Sequence, residues 1–248
     1  MSKFIDSFRN NKDSVNGKIF LPVIHLNPRD GMGSAMDGVR VAADAGADGA
    51  FLIAHGGLDY RQVAEIQESV LNRFQRDTGV LFPIGVNWLD LMREPEKMIH
   101  EASRIGTVSM IWSDAPGNGE EILQARRDTM WDGFYMGAVG FKYQAHVSNE
   151  ELPEVARRSS SFMDVLVTSG DGTGIAINPE RTKIIREAVG LEKPIAVASG
   201  VSISNYGDII PYVDCFLVAT SILFKHDDHR LDAEKTQVLA EAIHGWTP

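Results

Sequence analysis

Short apolar runs, rich in Val, Ile, Leu and Ala, recur along the chain, and each gives way abruptly to small or polar residues before a stretch of helical spacing begins. The runs fall at 19–25, 50–54, 81–87, 108–112, 134–139 and 164–168, with two more opening at Ile195 and Cys215. None shows the strict polar alternation of a half-exposed strand, so each reads as a strand buried on both faces, as in parallel sheets. Between them lie amphipathic stretches at 35–45, 60–78, 95–105, 120–129, 150–160 and 179–189, a short one after Asn205, and a last at 232–244. Gly79 and Gly106 stop helices, Pro95 starts one, and Ser34 is the expected cap of the first. Glycines at 133, 137 and 140 blur the ends of the fifth strand.

Strict alternation of strand and helix without tandem strands predicts parallel βαβ units, and a count of eight predicts closure rather than an open sheet. The expected fold is therefore α/β, a (β/α)8 TIM barrel with a closed eight-stranded parallel sheet. It is expected to form one domain over 1–248, with 1–17 as a lead-in whose short helix covers the barrel bottom.

One stretch organises the rest. Ile195-Ala-Val-Ala-Ser199-Gly200-Val201 is answered about twenty residues on by Cys215-Phe-Leu-Val-Ala219-Thr220-Ser221, two apolar runs that each end in small residues. The loops after the seventh and eighth strands of such barrels commonly hold a phosphate, because helix N–H groups and the helix dipole favour an anion there. Ser199, Gly200, Thr220 and Ser221 are the expected phosphate-binding residues.

Composition narrows the classes of partner. With 34 acidic against 24 basic residues the formal net charge is −10, which argues against a broad nucleic-acid footprint and requires a local pocket for any anionic ligand. The single cysteine, Cys215, sits inside an apolar run and is expected as a buried core residue in a reducing, cytoplasmic setting. No run is long enough to span a bilayer, and residues 1–10 lack an apolar leader segment, so no membrane insertion is expected. Homo-oligomerisation is compatible with the fold but no patch specifies it. The tetrad His226-Asp-Asp-His229 is contiguous, without spacing that makes four side chains converge, and reads as a solvated turn; no metal is expected.

Polar residues at the C-terminal ends of barrel strands face the active site. That rule selects His25, His55, Asn87, Asp114, Lys142, Thr168, Asp171, Ser199 and Thr220. His25, His55, Asn87, Lys142 and Asp171 are the expected catalytic set. His25 ends an apolar strand, and His55 precedes two glycines that let backbone approach a ligand. Lys142 offers an amine or a cation, and Asp171 lies in Gly170-Asp-Gly172-Thr173-Gly174, a glycine-rich loop suited to closing over substrate. Asp114 sits in a Pro- and Gly-containing loop where Asp is also an ordinary turn former. No Gly-x-Gly-x-x-Gly spacing occurs, so a nicotinamide cofactor is not expected, and no other cofactor is indicated.

The chain resembles the BtpA family of predicted barrel enzymes, within the ribulose-phosphate-binding barrels. The resemblance runs over about 20–224 and rests on Pro22-Val-Ile-His25-Leu26-x-Pro28, Gly46-Ala-Asp-Gly49, Gly85-Val-Asn87-Trp-Leu, Val167-Thr-Ser-Gly-Asp-Gly-Thr173-Gly174, Ala198-Ser-Gly200-Val201 and Val218-Ala-Thr-Ser221. Two places depart from the family's pattern: His55-Gly-Gly stands where a carboxylate-and-Asn stretch is usual, and Gly137 and Lys142-Tyr143 stand where an Asp and a Lys-His pair are usual. The resemblance implies the barrel and its phosphate site more than a reaction. The expected function is action on a phosphorylated small molecule, a sugar phosphate or nucleotide, by acid–base isomerase or lyase chemistry. Glycosyl transfer or cleavage at a ribose phosphate and a non-catalytic binding or assembly role are the alternatives.

Overall fold

The computed structural model describes residues 2–9, 17–142 and 146–247, and Tyr143 lies outside them. Eight parallel strands close into a barrel in chain order: β1 (Ile19–His25), β2 (Ala50–Ile53), β3 (Ile84–Asn87), β4 (Met110–Ser113), β5 (Phe134–Ala138), β6 (Val165–Thr168), β7 (Ile195–Ala198) and β8 (Cys215–Val218). Closure is made by β1 against β8, where Ile19 pairs with Cys215 and Pro22 with Val218. The protein is thus a (β/α)8 barrel of the TIM type, as the alternation predicts.

Helices alternate with the strands: α1 (Lys3–Arg9), α2 (Gly31–Asp44), α3 (Tyr60–Thr78), α4 (Pro95–Ile105), α5 (Gly119–Thr129), α6 (Leu152–Ser160), α7 (Pro179–Val189), α8 (Tyr206–Ile209) and α9 (Ala233–His244). Their caps correct the sequence reading in places. Helix α2 starts four residues before the expected Ala35, because Asp30 rather than Ser34 caps it by accepting from the Gly33 N–H. Strand β3 starts at Ile84, and Leu81, expected in the strand, is 55% exposed. Among the described residues no helix is long and apolar enough to cross a membrane.

Alternate strand residues point inward and outward. Leu21, Val23, Phe51, Ile53, Met110, Trp112, Met136, Ala138, Val165, Val167, Ala196, Ala198, Cys215 and Leu217 fill the barrel interior, whereas Phe20, Leu52, Ile111, Leu166, Val197 and Phe216 pack beneath the helices. Gly85 is required by this interior: a Cβ there would lie 2.5 Å from the Phe51 ring. At the N-terminal end Phe4, Ile5 and Phe8 of α1 extend the same apolar cluster, with Phe4 edge-on to Phe134 at 5.3 Å.

Three carboxylates fix the strand starts at that end. Asp48 accepts from the Phe20 N–H at 2.7 Å, Asp164 from Tyr135 at 2.7 Å and Asp214 from Ile195 at 2.9 Å. Each precedes an even strand and holds the odd strand before it. Asp164 and Asp214 also pair with Arg126 and Arg186, and Asp48 meets His244 at 2.9 Å. These charges are therefore committed to stability at the end away from the cavity.

The tetrad starts at a solvated turn, as expected, but runs on into a strand. Residues Leu223–Phe224 (β9) and Asp227–Leu231 (β10) form an antiparallel hairpin, with His226 in the left-handed region at φ 73° at its tip. The hairpin lies against β1, where His229 Nδ1 is 3.2 Å from the His25 carbonyl oxygen.

Candidate functional site

A cavity of about 540 Å³ opens at the C-terminal end of the barrel. Its polar side chains arrive by one rule of register. Val23, Ile53 and Trp112 are the last interior apolar residues of β1, β2 and β4, and two positions beyond each comes His25, His55 and Asp114, all lining the cavity. Lys142, four residues beyond the interior Ala138, lines it too.

The imidazoles of His25 and His55 meet edge to face, centroids 4.7 Å apart. Burial pushes His25 down to about 4, reinforced by the neighbouring His55 and opposed by Asp228, so His25 is neutral at physiological pH. His55, nearer the mouth, is also lowered, first by desolvation and then by the Lys142 cation, with Asp114 opposing.

Asp114 behaves in the opposite sense. Burial holds its carboxyl above the usual carboxylate range, while a hydrogen bond from Asn87 and the charges of Lys142 and His55 pull it back. The Asn87 amide donates to Oδ1 of Asp114 at 3.1 Å, and Asn87 itself is fully buried and does not line the cavity. Asn87 is therefore a positioning residue rather than a group facing a ligand. Lys142 is set by its backbone, whose N–H donates to the Ser169 hydroxyl at 2.8 Å, and its ammonium lies 3.3 Å from the Thr173 hydroxyl.

The opposite wall is made by the loops after β6, β7 and β8. Thr173, Gly174, Ser199, Gly200, Thr220 and Ser221 line it, joined by Ser202 and Asn205. The Ser199 hydroxyl accepts from the Gly174 N–H at 2.9 Å and donates to the Gly172 carbonyl at 3.0 Å. Ser221 donates to the Val201 carbonyl at 2.6 Å, and Asn205 donates to the Gly200 carbonyl at 2.7 Å. These side chains hold one another's backbones. The N–H groups of Gly200, Val201, Thr220 and Ser221, by contrast, form no hydrogen bond among the described residues.

Besides Asn87, two more of the expected residues fall outside the cavity lining. Asp171 is exposed and outside the cavity lining, because its loop folds back on Ser199 and turns the carboxylate to solvent. Thr168 has the helix-facing parity of Leu166 and is buried away from the cavity. Conversely Asp114, a strand-end candidate that read more readily as a turn former, is the part-buried carboxylate of the site. Leu89, Met92 and Trp112 also line the cavity. Among the described residues no three His, Cys, Asp or Glu side chains converge as metal ligands would.

No family model matches the chain, and none of the curated proteins does. Solved structures match it over nearly their whole length. A tryptophan synthase chain from Mycobacterium tuberculosis superimposes with a TM-score of 0.68 at 13% identity, covering 98% of both chains. Thiamine phosphate pyrophosphorylase from Pyrococcus furiosus gives 0.61 at 17% identity over 92% of this chain and 96% of that one. Phosphoribosylanthranilate isomerase from Thermotoga maritima gives 0.60 at 15% identity over 92% and 100%. At such identities the likeness is one of fold, and it is to barrels of this type.

Proposed function

We propose that the protein is an enzyme acting on a phosphorylated small molecule, with the phosphate bound by the loops after β7 and β8 and proton transfer carried out across the cavity. The observation that carries this reading is the set of four backbone N–H groups, at Gly200, Val201, Thr220 and Ser221, that belong to residues lining one wall of the cavity and have no acceptor among the described residues. Clustered main-chain donors form an anion-binding concavity even in a chain of net negative charge. The BtpA-like motifs at the strand ends support the same placement, as do solved barrels whose names include thiamine phosphate and phosphoribosyl compounds.

Asp114 faces the phosphate wall together with two imidazoles held neutral and one ammonium. A neutral imidazole accepts a proton, a carboxyl whose pKa burial raises is a better proton carrier than a free one, and Lys142 stabilises the negative charge that develops on an enolate or alkoxide. That combination fits isomerase or lyase chemistry. The phosphate anchor would hold the reacting carbon against these groups, turning remote binding energy into orientation.

Inorganic phosphate and phosphate monoesters, titrated calorimetrically, test the anchor. Binding should be abolished by Thr220→Glu, which places a carboxylate in the cup from an exposed position and leaves the fold intact. Unchanged binding in that variant, at an unchanged melting temperature, removes the phosphate reading.

A further inference from the structure

The wall of the cavity between β3 and β4 is apolar by construction. Residues Leu89–Leu91 form a 3₁₀ turn directly after β3, in the sequence Trp88-Leu-Asp-Leu-Met92. Trp88 and Leu91 are buried in the core, Trp88 edge-on to Tyr60 at 5.7 Å. Asp90 accepts from the Tyr60 N–H at 3.0 Å, and the Met92 carbonyl accepts from the Ser113 hydroxyl at 3.2 Å. The turn is thus tied to α3 on one side and to β4 on the other, and what it presents to the cavity is Leu89 and Met92, both only partly buried. Trp112 continues the wall inward and is held between Phe51 and Phe141, each about 6.1 Å away ring to ring.

A loop at the mouth of a barrel is ordinarily polar, and two part-buried apolar side chains turned to the cavity on a turn pinned from both sides offer area to an apolar ligand. The polar groups are distributed to match. Among the described residues, every neutral hydroxyl or amide side chain lining the cavity comes from the loops after β6, β7 and β8, whereas the β1–β5 side supplies only His25, His55, Asp114 and Lys142. A polyhydroxylated chain could give some hydroxyls to His25, His55, Asp114 or Lys142, but any turned onto the Leu89 and Met92 side chains would find no partner, and each unpaired buried hydroxyl opposes binding.

Resting on the phosphate reading above, we infer that the substrate class is a phosphate monoester whose body carries a flat, largely apolar ring, with the ring seated on Leu89, Met92 and Trp112. The phosphate faces the loops after β7 and β8, and the few polar atoms of the body meet Asp114 and the histidines. A cavity of about 540 Å³ holds such a molecule, being within the usual range for small-molecule sites.

The test is a calorimetric series with inorganic phosphate, ribose 5-phosphate, 1-naphthyl phosphate and 1-naphthol, on the wild type and on the neutral polar variants Leu89→Asn and Met92→Gln. The aryl phosphate is expected to bind about tenfold or more tightly than ribose 5-phosphate, from the apolar area its ring covers. Either variant should erase that gap while leaving the affinity for inorganic phosphate unchanged, which also shows that the barrel is folded. Equal or tighter binding of ribose 5-phosphate, or a gap that survives both variants, overturns the ring assignment and leaves the phosphate anchor standing. If 1-naphthol binds as tightly as its phosphate and inorganic phosphate displaces neither, the anchor itself fails, a result distinct from the first.

Discussion

Asn87 reaches from the end of β3 to donate to Asp114 beyond β4, a 3.1 Å bond that makes one buried amide the keeper of one part-buried carboxylate. Its other polar atom, Oδ1, is buried without a hydrogen-bond partner among the described residues. An orphaned buried acceptor is costly, and it is retained here beside the group whose protonation the cavity tunes.

Removing that amide should shift Asp114 further in the direction burial already drives it. The hydrogen bond from Asn87 stabilises the charged carboxylate, so Asn87→Leu raises the Asp114 pKa from its already elevated position. Carboxyl ¹³C titration of wild type and variant by NMR reads this directly. A downward shift or none at all shows that Asn87 does not tune Asp114.

Replacing the carboxylate itself should stabilise the protein. At pH 7 the ionised Asp114 bears a desolvation cost that Asn does not, and an Asn at 114 still accepts from Asn87. Asp114→Asn is expected to gain on the order of 1 kcal/mol at neutral pH, as polar site residues often do when neutralised. The sign with pH follows from the raised pKa. The folded wild type binds its proton more readily than the unfolded chain, so its relative stability is full below the unfolded pKa and falls as pH rises through the folded one. The advantage of the variant should therefore vanish in acid, as urea melts at pH 7 and pH 3.5 would show.

His25 works against the fold on the acid side. Its folded pKa, about 4, lies below the ordinary 6.5, so the unfolded chain binds the extra proton first and stability is lost as pH falls from about 6.5 through 4. The full effect is on the order of 3 kcal/mol. His25→Gln should flatten the melting temperature between pH 7 and pH 4.5 relative to wild type. Equal slopes for the two proteins refute the assignment.

The barrel was legible in the sequence because both faces of every strand are buried, which leaves unbroken apolar runs, and because Gly79 and Gly106 end helices in the left-handed conformation their positions suggest. The site was legible only as far as strand register carries. His25, His55 and Lys142 inherit an inward direction from Val23, Ile53 and Ala138, and the same count from Trp112 favours Asp114 over its reading as a turn former. Counting fails for Asp171, because Gly174 and Gly172 bracket the Ser199 hydroxyl and turn the loop outward. The hairpin at β9 and β10 was missed for a related reason: its alternating exposed and part-buried residues are held by β1 and not by the main core.

Gly200 separates a packing requirement from a ligand requirement. It sits at φ 71°, and a Cβ there would lie 2.1 Å from the Ile175 carbonyl oxygen and 2.5 Å from the Ala176 nitrogen, both backbone atoms that cannot swing away. Left-handed strain and overpacking together predict a loss of roughly 2–4 kcal/mol for Gly200→Ala. Gly79 provides the control, since it has nearly the same φ, 74°, with nothing within 4 Å of a Cβ. Gly79→Ala should cost only about 1 kcal/mol, the conformational part alone. Chemical denaturation of the two variants measures the difference. If they are equally destabilised, the loops after β6 and β7 do not pack as closely as their backbone contact implies, and the glycine is there to admit a ligand to its N–H.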